Sequence, residues 1–420
     1  MIIRTSKRES KNRYVSGLNN GTPIKKAWDM VRKISGKVSS TVVKHLKVNN
    51  ALVTDIKDIT NTLADNFSKI FSTEHYTPSF QRYKSSMEKQ YLNFVSNNCE
   101  YYNSDFTTKE LMSSLHQSHD TATGPDNIHY QLLKHLPDNC LNTLLYIFNR
   151  IWNDGAFPPN WRQAIVIPIP KPAKDDTDAN NYRPIALTSC LCKTMERMVN
   201  ARLVYYLEKN NIITACQSGF RRQRSTTDQL VRLETCVREG LANGEHVVAV
   251  FFDLEKAYDT TWKYGILLDL FKAGLRGHLP NFISNFLENR QFMVRIGNTL
   301  SDLHQQEMGV PQGSILSVTL FSLKINSIIE YIGPGMECSL YVDDFLSYCL
   351  SKQMRSIERQ LQLSLNKLQI WANQNGFRFS KTKPFPYTFV TNVDYPLILS
   401  FVLIILTFLW SKKLNSLFLI

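Results

Sequence analysis

The chain has 420 residues, 43% of them hydrophobic, and a formal net charge of +13 from 49 Lys and Arg against 36 Asp and Glu. That length and apolar content exclude a disordered polyelectrolyte and leave room for two or three domains, and only eight cysteines in so long a chain exclude a disulfide-stapled mini-protein. The basic excess points to a polyanionic partner, nucleic acid first, although a merely basic soluble protein shows the same balance.

The cysteines (99, 140, 190, 192, 216, 236, 338 and 349) show no zinc-finger spacing, and Met1–Arg8 lacks the apolar core of a signal peptide. A reducing intracellular compartment, nucleus or cytoplasm, is the expectation. Residues 1–100 read as a basic, helical lead-in or linker. Trp28, Val31 and Ile34 mark one helix, and Ile56, Ile59, Leu63, Phe67 and Ile70 a second. This stretch either touches nucleic acid or presents a charged, solvated surface.

Thr123-Gly124-Pro125-Asp126 is a turn, followed by a short helix closed at Pro137 and a longer one through Leu141–Phe148. Trp161–Pro170 reads as a strand closed by prolines, leading through a polar loop with Lys171 to Asn181-Tyr182-Arg183-Pro184-Ile185. Arg183, with its planar fork, suits phosphate oxygens, although a solvated loop is the alternative. Ser189–Leu207 reads as a helix carrying Lys193, Glu196 and Arg197. Next comes Gln217-Ser218-Gly219-Phe220-Arg221-Arg222-Gln223-Arg224, with a helix starting at the Ser225/Thr226 cap. Its arginines and exposed ring suit a nucleic-acid backbone, or simply a charged surface loop.

His246–Asp253 reads as a buried strand ending in a carboxylate, with a helix expected directly afterwards through Glu255–Asp259. Asp253 is then either a ligand-site residue at a strand's carboxyl end or a helix N-cap. Gly309–Ser314 is a Gly/Pro-rich loop feeding an apolar helix, in which Gly313 allows close backbone approach to a base or phosphate. In Tyr341-Val342-Asp343-Asp344, two acidic residues interrupt an apolar run that reads as a hairpin with the Asp-Asp pair as its tight turn. Like charges so placed repel, which a divalent cation such as Mg²⁺ would relieve; a solvated turn is the other reading. Ile357, Leu361, Leu365, Leu368 and Ala372 then mark an amphipathic helix, and Asn375-Gly376 a turn to a strand.

In order and spacing the set resembles the reverse transcriptases of non-LTR (LINE-type) retrotransposons, Jockey-type elements above all, from about Thr123 to Lys383. The matching motifs are Thr123–Asp126; Ile169–Pro172 with Tyr182–Ile185; Gln217–Phe220 with Arg224–Thr226; Phe252–Asp259; Gly309–Ser314; Tyr341–Asp344; and Trp371–Phe379 with Lys383. The resemblance implies an α+β right-hand polymerase, with fingers over 101–245 and a ferredoxin-like palm over 246–383. It implies RNA-directed DNA polymerase activity on an RNA template, a DNA primer and dNTPs. Asp253, Asp343 and Asp344 would be catalytic and would hold two Mg²⁺ ions, Mn²⁺ being an alternative. Lys171, Arg183, Tyr258, Gln312, Gly313 and Lys383 would contact the nucleotide, Tyr258 as a steric gate against a ribose 2′-hydroxyl and Lys383 as a general acid. Gly219, Phe220, Arg221 and Arg224 would contact the template.

Three departures qualify the resemblance. Ser317-Val318 stands where the family continues with Pro, and Pro384-Phe385-Pro386 interrupts the final motif. A thumb and an upstream endonuclease are not recognisable, so the expectation is a truncated copy with the thumb absent or incomplete. Residues 384–420 read as an aberrant apolar tail, and Pro396–Trp410, at 15 residues, is short of the roughly 20 that a spanning helix needs. No stable membrane association is expected, a tail anchor being the alternative reading of that stretch. A nucleic-acid-binding remnant without polymerase activity is the second functional reading.

Overall fold

In the computed structural model, described for residues 43–48, 51–172, 174–380 and the backbone of 385–389, helices and strands are interspersed along the chain. A short hairpin, β1 (Leu46–Val48) and β2 (Ala51–Val53), precedes α1 (Ile56–Ile70), α2 (Pro78–Met87), α3 (Thr108–His116), α4 (Tyr130–Lys134) and α5 (Asp138–Asp154). Strands β3 (Gln163–Pro170) and β4 (Tyr182–Leu187) lead to α6 (Cys190–Lys209), α7 (Thr226–Ala242), β5 (His246–Asp253), α8 (Lys263–Lys272) and α9 (His278–Leu287). Next come β6 (Arg290–Ile296), β7 (Thr299–Leu300), β8 (His304–Gln306) and α10 (Ile315–Ile325). The described part closes with β9 (Met336–Tyr341), β10 (Asp344–Ser351), α11 (Met354–Asn375) and β11 (Phe385–Phe389). The chain divides between Lys44 and His45, and every described element lies in the part beginning at His45. The Trp28–Ile34 segment, Lys383 and the apolar stretch 396–410 lie outside the described residues.

Local chemistry sets the helix boundaries. Asp55 caps α1 by accepting from the Lys57 and Asp58 amides, and α1 buries Ile59, Leu63, Phe67 and Ile70 along one stripe. Ser225 and Asp228 form the capping box that starts α7 at the expected cap. Helix α11 ends where Gly376 turns left-handed.

Strand β5 is apolar almost throughout because both faces of its sheet are covered. The sheet order is β11-β5-β10-β9, all antiparallel, which places the strands of a βαββαβ run in the order fourth, first, third, second. On one face Leu340 and Phe345 pack with Phe321 and Ile325 of α10 and with Leu368 and Trp371 of α11. On the other, Val247, Ala249, Leu346 and Tyr348 pack on Leu233 and Val237 of α7. A second, mixed sheet runs β4-β3-β6-β7, with β8 also on β6 and with β3 and β6 parallel. The largest apolar cluster joins helices α3, α5, α6, α9 and α10 through residues such as Leu111, Phe148, Met195, Phe286 and Leu320.

The segment 56–87, expected within a lead-in, is fastened to the chain that follows β5. Tyr76 and Phe80 pack on Trp262 and Met308, the Tyr76 hydroxyl donates to the Thr260 carbonyl at 2.6 Å, and the Met308 amide donates to the Phe71 carbonyl at 2.8 Å. Among the described residues no helix is long and apolar enough to cross a membrane.

Candidate active site

Strand pairing brings the three predicted carboxylates to one end of the first sheet. Asp344, on the central strand β10, is the register partner of Asp253 on β5 and of Tyr341 on β9. The Asp-Asp pair is therefore not the tight turn: Val342 and Asp343 form it, and Asp344 is already in the strand. Val342 is buried with φ +61°, a conformation that a β-branched residue holds at a cost of about 1–3 kcal/mol, and only where its surroundings fix it. Gln217 reaches both backbone polar groups of Val342. Its Oε1 accepts from the amides of Gly219 (2.8 Å) and Val342 (3.0 Å), and its Nε2 donates to the Val342 carbonyl at 3.5 Å.

The helix expected through Glu255–Asp259 does not form. Residues 255–260 are turns, with Lys256 at φ +49°, and helix begins only at Lys263. The backbone is bonded outward instead: the Glu255 amide donates to the Arg378 carbonyl at 2.9 Å, and the Ser380 amide to the Asp253 carbonyl at 2.8 Å. The segment after Asn375-Gly376, expected as a strand, makes only a single antiparallel bridge, Leu254 with Phe379, beside the end of β5. Tyr258 stacks on Phe321, centroids 4.5 Å apart, and burial, then the Asp343 charge, pushes its hydroxyl pKa far up.

The Gly/Pro loop is stitched to this turn and to β4. The Val310 amide donates to the Tyr258 carbonyl at 2.9 Å, Gln312 Nε2 donates to Asp259 Oδ1 at 2.6 Å, and the Ala186 amide donates to the Gln312 carbonyl at 2.7 Å. Gly313 has φ +123°, and a Cβ there would stand 2.5 Å from the Ala186 oxygen, so no side chain fits. Helix α10 starts at Ile315 despite Val318, because a fully buried carboxylate from α6 anchors its first turn. Glu196 Oε2 accepts from the Ser314 hydroxyl and from the Ile315 (2.9 Å) and Leu316 (3.3 Å) amides, while Oε1 accepts from the Cys192 thiol at 3.2 Å. Arg290, fully buried, faces the Glu196 charge, and its Nε and Nη2 have no hydrogen-bond partner.

Around Asp259 the site is cationic. Burial lowers the Lys171 pKa, helped by the charges of Lys256 and Arg183. Burial also lowers that of Lys256, against the pull of Asp259 and Glu255. Asp259 is pushed up to about 6 by burial, opposed by Gln312, Lys256 and Lys171. The structure therefore brings Lys171, Arg183, Tyr258, Gln312 and Gly313 around one turn and adds Lys256 and Asp259, to which the sequence reading gave no role. Both lie within Glu255–Asp259, the stretch expected to be helical.

Two of the four residues expected at the template have other partners. Arg221 points inward: its guanidinium donates to Glu208 Oε1 (2.7 Å), the Thr214 carbonyl (2.7 Å) and the Gln217 carbonyl (3.0 Å). A Cβ on Gly219 would stand 2.4 Å from Val342 Cγ2, so Gly219 packs on the turn carrying Asp343. Phe220, at φ +55°, and Arg224 are exposed.

Among the described residues no three His, Cys, Asp or Glu side chains form a ready metal-binding group. The register still sets Asp344 opposite Asp253 with Asp343 adjacent, and carboxylate oxygens are the donors that hard divalent cations take.

Comparison with known proteins agrees with this arrangement. Residues 169–395, just over half of the chain, match the family described as reverse transcriptase (RNA-dependent DNA polymerase). The chain is 32% identical over 274 residues to the RNA-directed DNA polymerase from mobile element jockey of Drosophila melanogaster, covering 64% of this chain and 30% of that protein. It is 33% identical over 262 residues to the probable RNA-directed DNA polymerase from transposon BS of the same species, covering 60% and 28%. The jockey protein of Drosophila funebris is 33% identical over 270 residues, covering 63% and 29%. The chain thus spans under a third of the length of these relatives. With its carboxylates, strand order and motif loops in this arrangement, the chain belongs to the reverse transcriptase family.

Proposed function

We propose that this chain carries out RNA-directed DNA synthesis, adding deoxynucleotides from dNTPs to a primer 3′-hydroxyl under an RNA template, as its jockey-type relatives are named for doing. The observation that carries the reading is the Asp344–Asp253 register pair beside Asp343, next to the Lys171–Arg183–Lys256 group. The β11-β5-β10-β9 sheet with α10 and α11 is read as a ferredoxin-like palm, and the segment before it as fingers.

Asp253, Asp343 and Asp344 would hold two divalent ions, Mg²⁺ or Mn²⁺, which when bound ease loss of the 3′-hydroxyl proton and neutralise charge at the α-phosphate. Lys171, Arg183 and Lys256 bind the triphosphate, Arg183 through its fork. Tyr258, held flat on Phe321, sets the room left beside the sugar and so acts against a 2′-hydroxyl. Gln312 and Gly313 tie that pocket to β4. Phe220 and Arg224 are placed to meet a template strand by stacking and charge.

Primer extension with RNA template, dNTPs and Mg²⁺ tests the reading, with Asp343→Asn as control. Incorporation by the unaltered chain no greater than by D343N overturns it.

A further inference from the structure

We propose that Gln217 is a positioning residue for Asp343, holding Val342 in its left-handed conformation so that the turn presents the carboxylate. The proposal rests on the polymerase reading of the site. Gln217 is fully buried, and its carboxamide engages both backbone groups of Val342: Oε1 accepts the amide at 3.0 Å and Nε2 donates to the carbonyl at 3.5 Å. The remaining lone pair of Oε1 takes the Gly219 amide at 2.8 Å, which fixes the carboxamide itself.

The surrounding backbone makes this a clamp. Segment 216–218 runs beside β9 as a parallel rail: the Leu340 amide donates to the Cys216 carbonyl and the Ser218 amide to the Leu340 carbonyl, both at 3.0 Å. The rail then passes over Val342 at Gly219, where a side chain would collide with the Val342 nitrogen at 2.6 Å. Arg221 ties the far end down through the Gln217 carbonyl and Glu208. A β-branched residue at positive φ has no local reason to stay there, so an external hold is required. The Gln217 side chain bonds the amide and the carbonyl on either side of the Val342 Cα, and so both peptide units that set its φ and ψ.

The test compares the full chain with Gln217→Ala, Gln217→Glu and the double variant Gln217→Ala/Val342→Gly. It reads amide hydrogen exchange over residues 340–345 and the kcat and dNTP KM of primer extension. In Q217A the turn amides exchange about tenfold faster and kcat falls about tenfold with KM held within about twofold, the loss of roughly one buried hydrogen bond. Adding Val342→Gly restores most of kcat, because glycine adopts positive φ without side-chain strain. Q217E keeps the acceptor for both amides and loses less. Should Q217A fail to fold, Gln217→Met, which keeps the side-chain volume and loses all three hydrogen bonds, gives the same reading. Unchanged exchange in Q217A or Q217M, or a kcat that Val342→Gly leaves uncorrected, overturns the proposal. If the unaltered chain extends no primer, the polymerase reading fails, and the exchange data still decide the clamp.

Discussion

Asp344 and Asp253 are direct register partners on adjacent strands although 91 residues (344 minus 253) separate them in sequence. Each is replaceable by Asn with little change of shape. The expected outcome for D253N and D344N is a fall in primer-extension rate of at least about 10²–10³-fold, the equivalent of several kcal/mol of lost charge stabilisation. Melting temperatures should stay near that of the unaltered chain, so a loss of activity that tracks unfolding would contradict the assignment.

Asp259 links stability to pH. Its folded pKa, about 6, lies above the ordinary 3.8, so the folded chain binds the proton more tightly than the unfolded one. This contribution is present in full below the unfolded value and is lost as pH rises through about 6. At about 1.36 kcal/mol per unit, the gap amounts to roughly 3 kcal/mol. Asp259→Asn keeps an acceptor for Gln312 without the charge. Urea denaturation at pH 5 and pH 8 should find D259N more stable than the unaltered chain at pH 8, with the difference shrinking at pH 5. An equal difference at both values would contradict it.

Glu196 anchors α10 from α6 and faces the buried Arg290. Glu196→Ala removes a charge that acts on that guanidinium and frees three donors at the start of α10, a loss of about 1–3 kcal/mol in urea denaturation. Glu196→Gln retains an acceptor and should fall less. The dNTP KM should rise in both, because the loop 309–314 is held at that point.

Arg221 and Arg224 stand three residues apart and should behave oppositely. Arg221→Ala should lower stability by about 1 kcal/mol, since it leaves partly buried acceptors without their donor. Arg224→Ala should leave stability unchanged and weaken binding to nucleic acid. It should also reduce the slope of log affinity against log salt by about one. Salt titrations of both variants check the pair, and a reduced slope in R221A would contradict the inward placement.

Much of the fold is legible in the sequence because local signals agree with it. The apolar run before Asp253, the Ser225 cap and the Ile357–Ala372 stripe each specify their element through burial or capping. The segment after Asp253 misled because Lys256 adopts positive φ and its backbone bonds to residues 378–380 and 309–310, partners that no local pattern names. The turn at Val342-Asp343 was misplaced by one residue for a related reason: valine is a poor turn former, and its conformation is imposed by Gln217 from 125 residues away in sequence. Polar residues that work from the interior, such as Glu196, Gln217 and Asp259, look in the sequence like ordinary members of a helix or loop.

The β5–β10 pairing also sets a timetable for folding. β5 must wait for residues 344–351, and at about 5–20 residues per second of synthesis that delay is roughly 5–20 s. The segment before it waits as well, since Lys57 meets Asp302 and Tyr76 meets Thr260. Such long-range closures slow folding, and a strand apolar on both faces stays unpaired meanwhile, open to pairing with other chains. A ribosome that stops before Asp344 releases an adhesive half-sheet that lacks the Asp253–Asp344 pair.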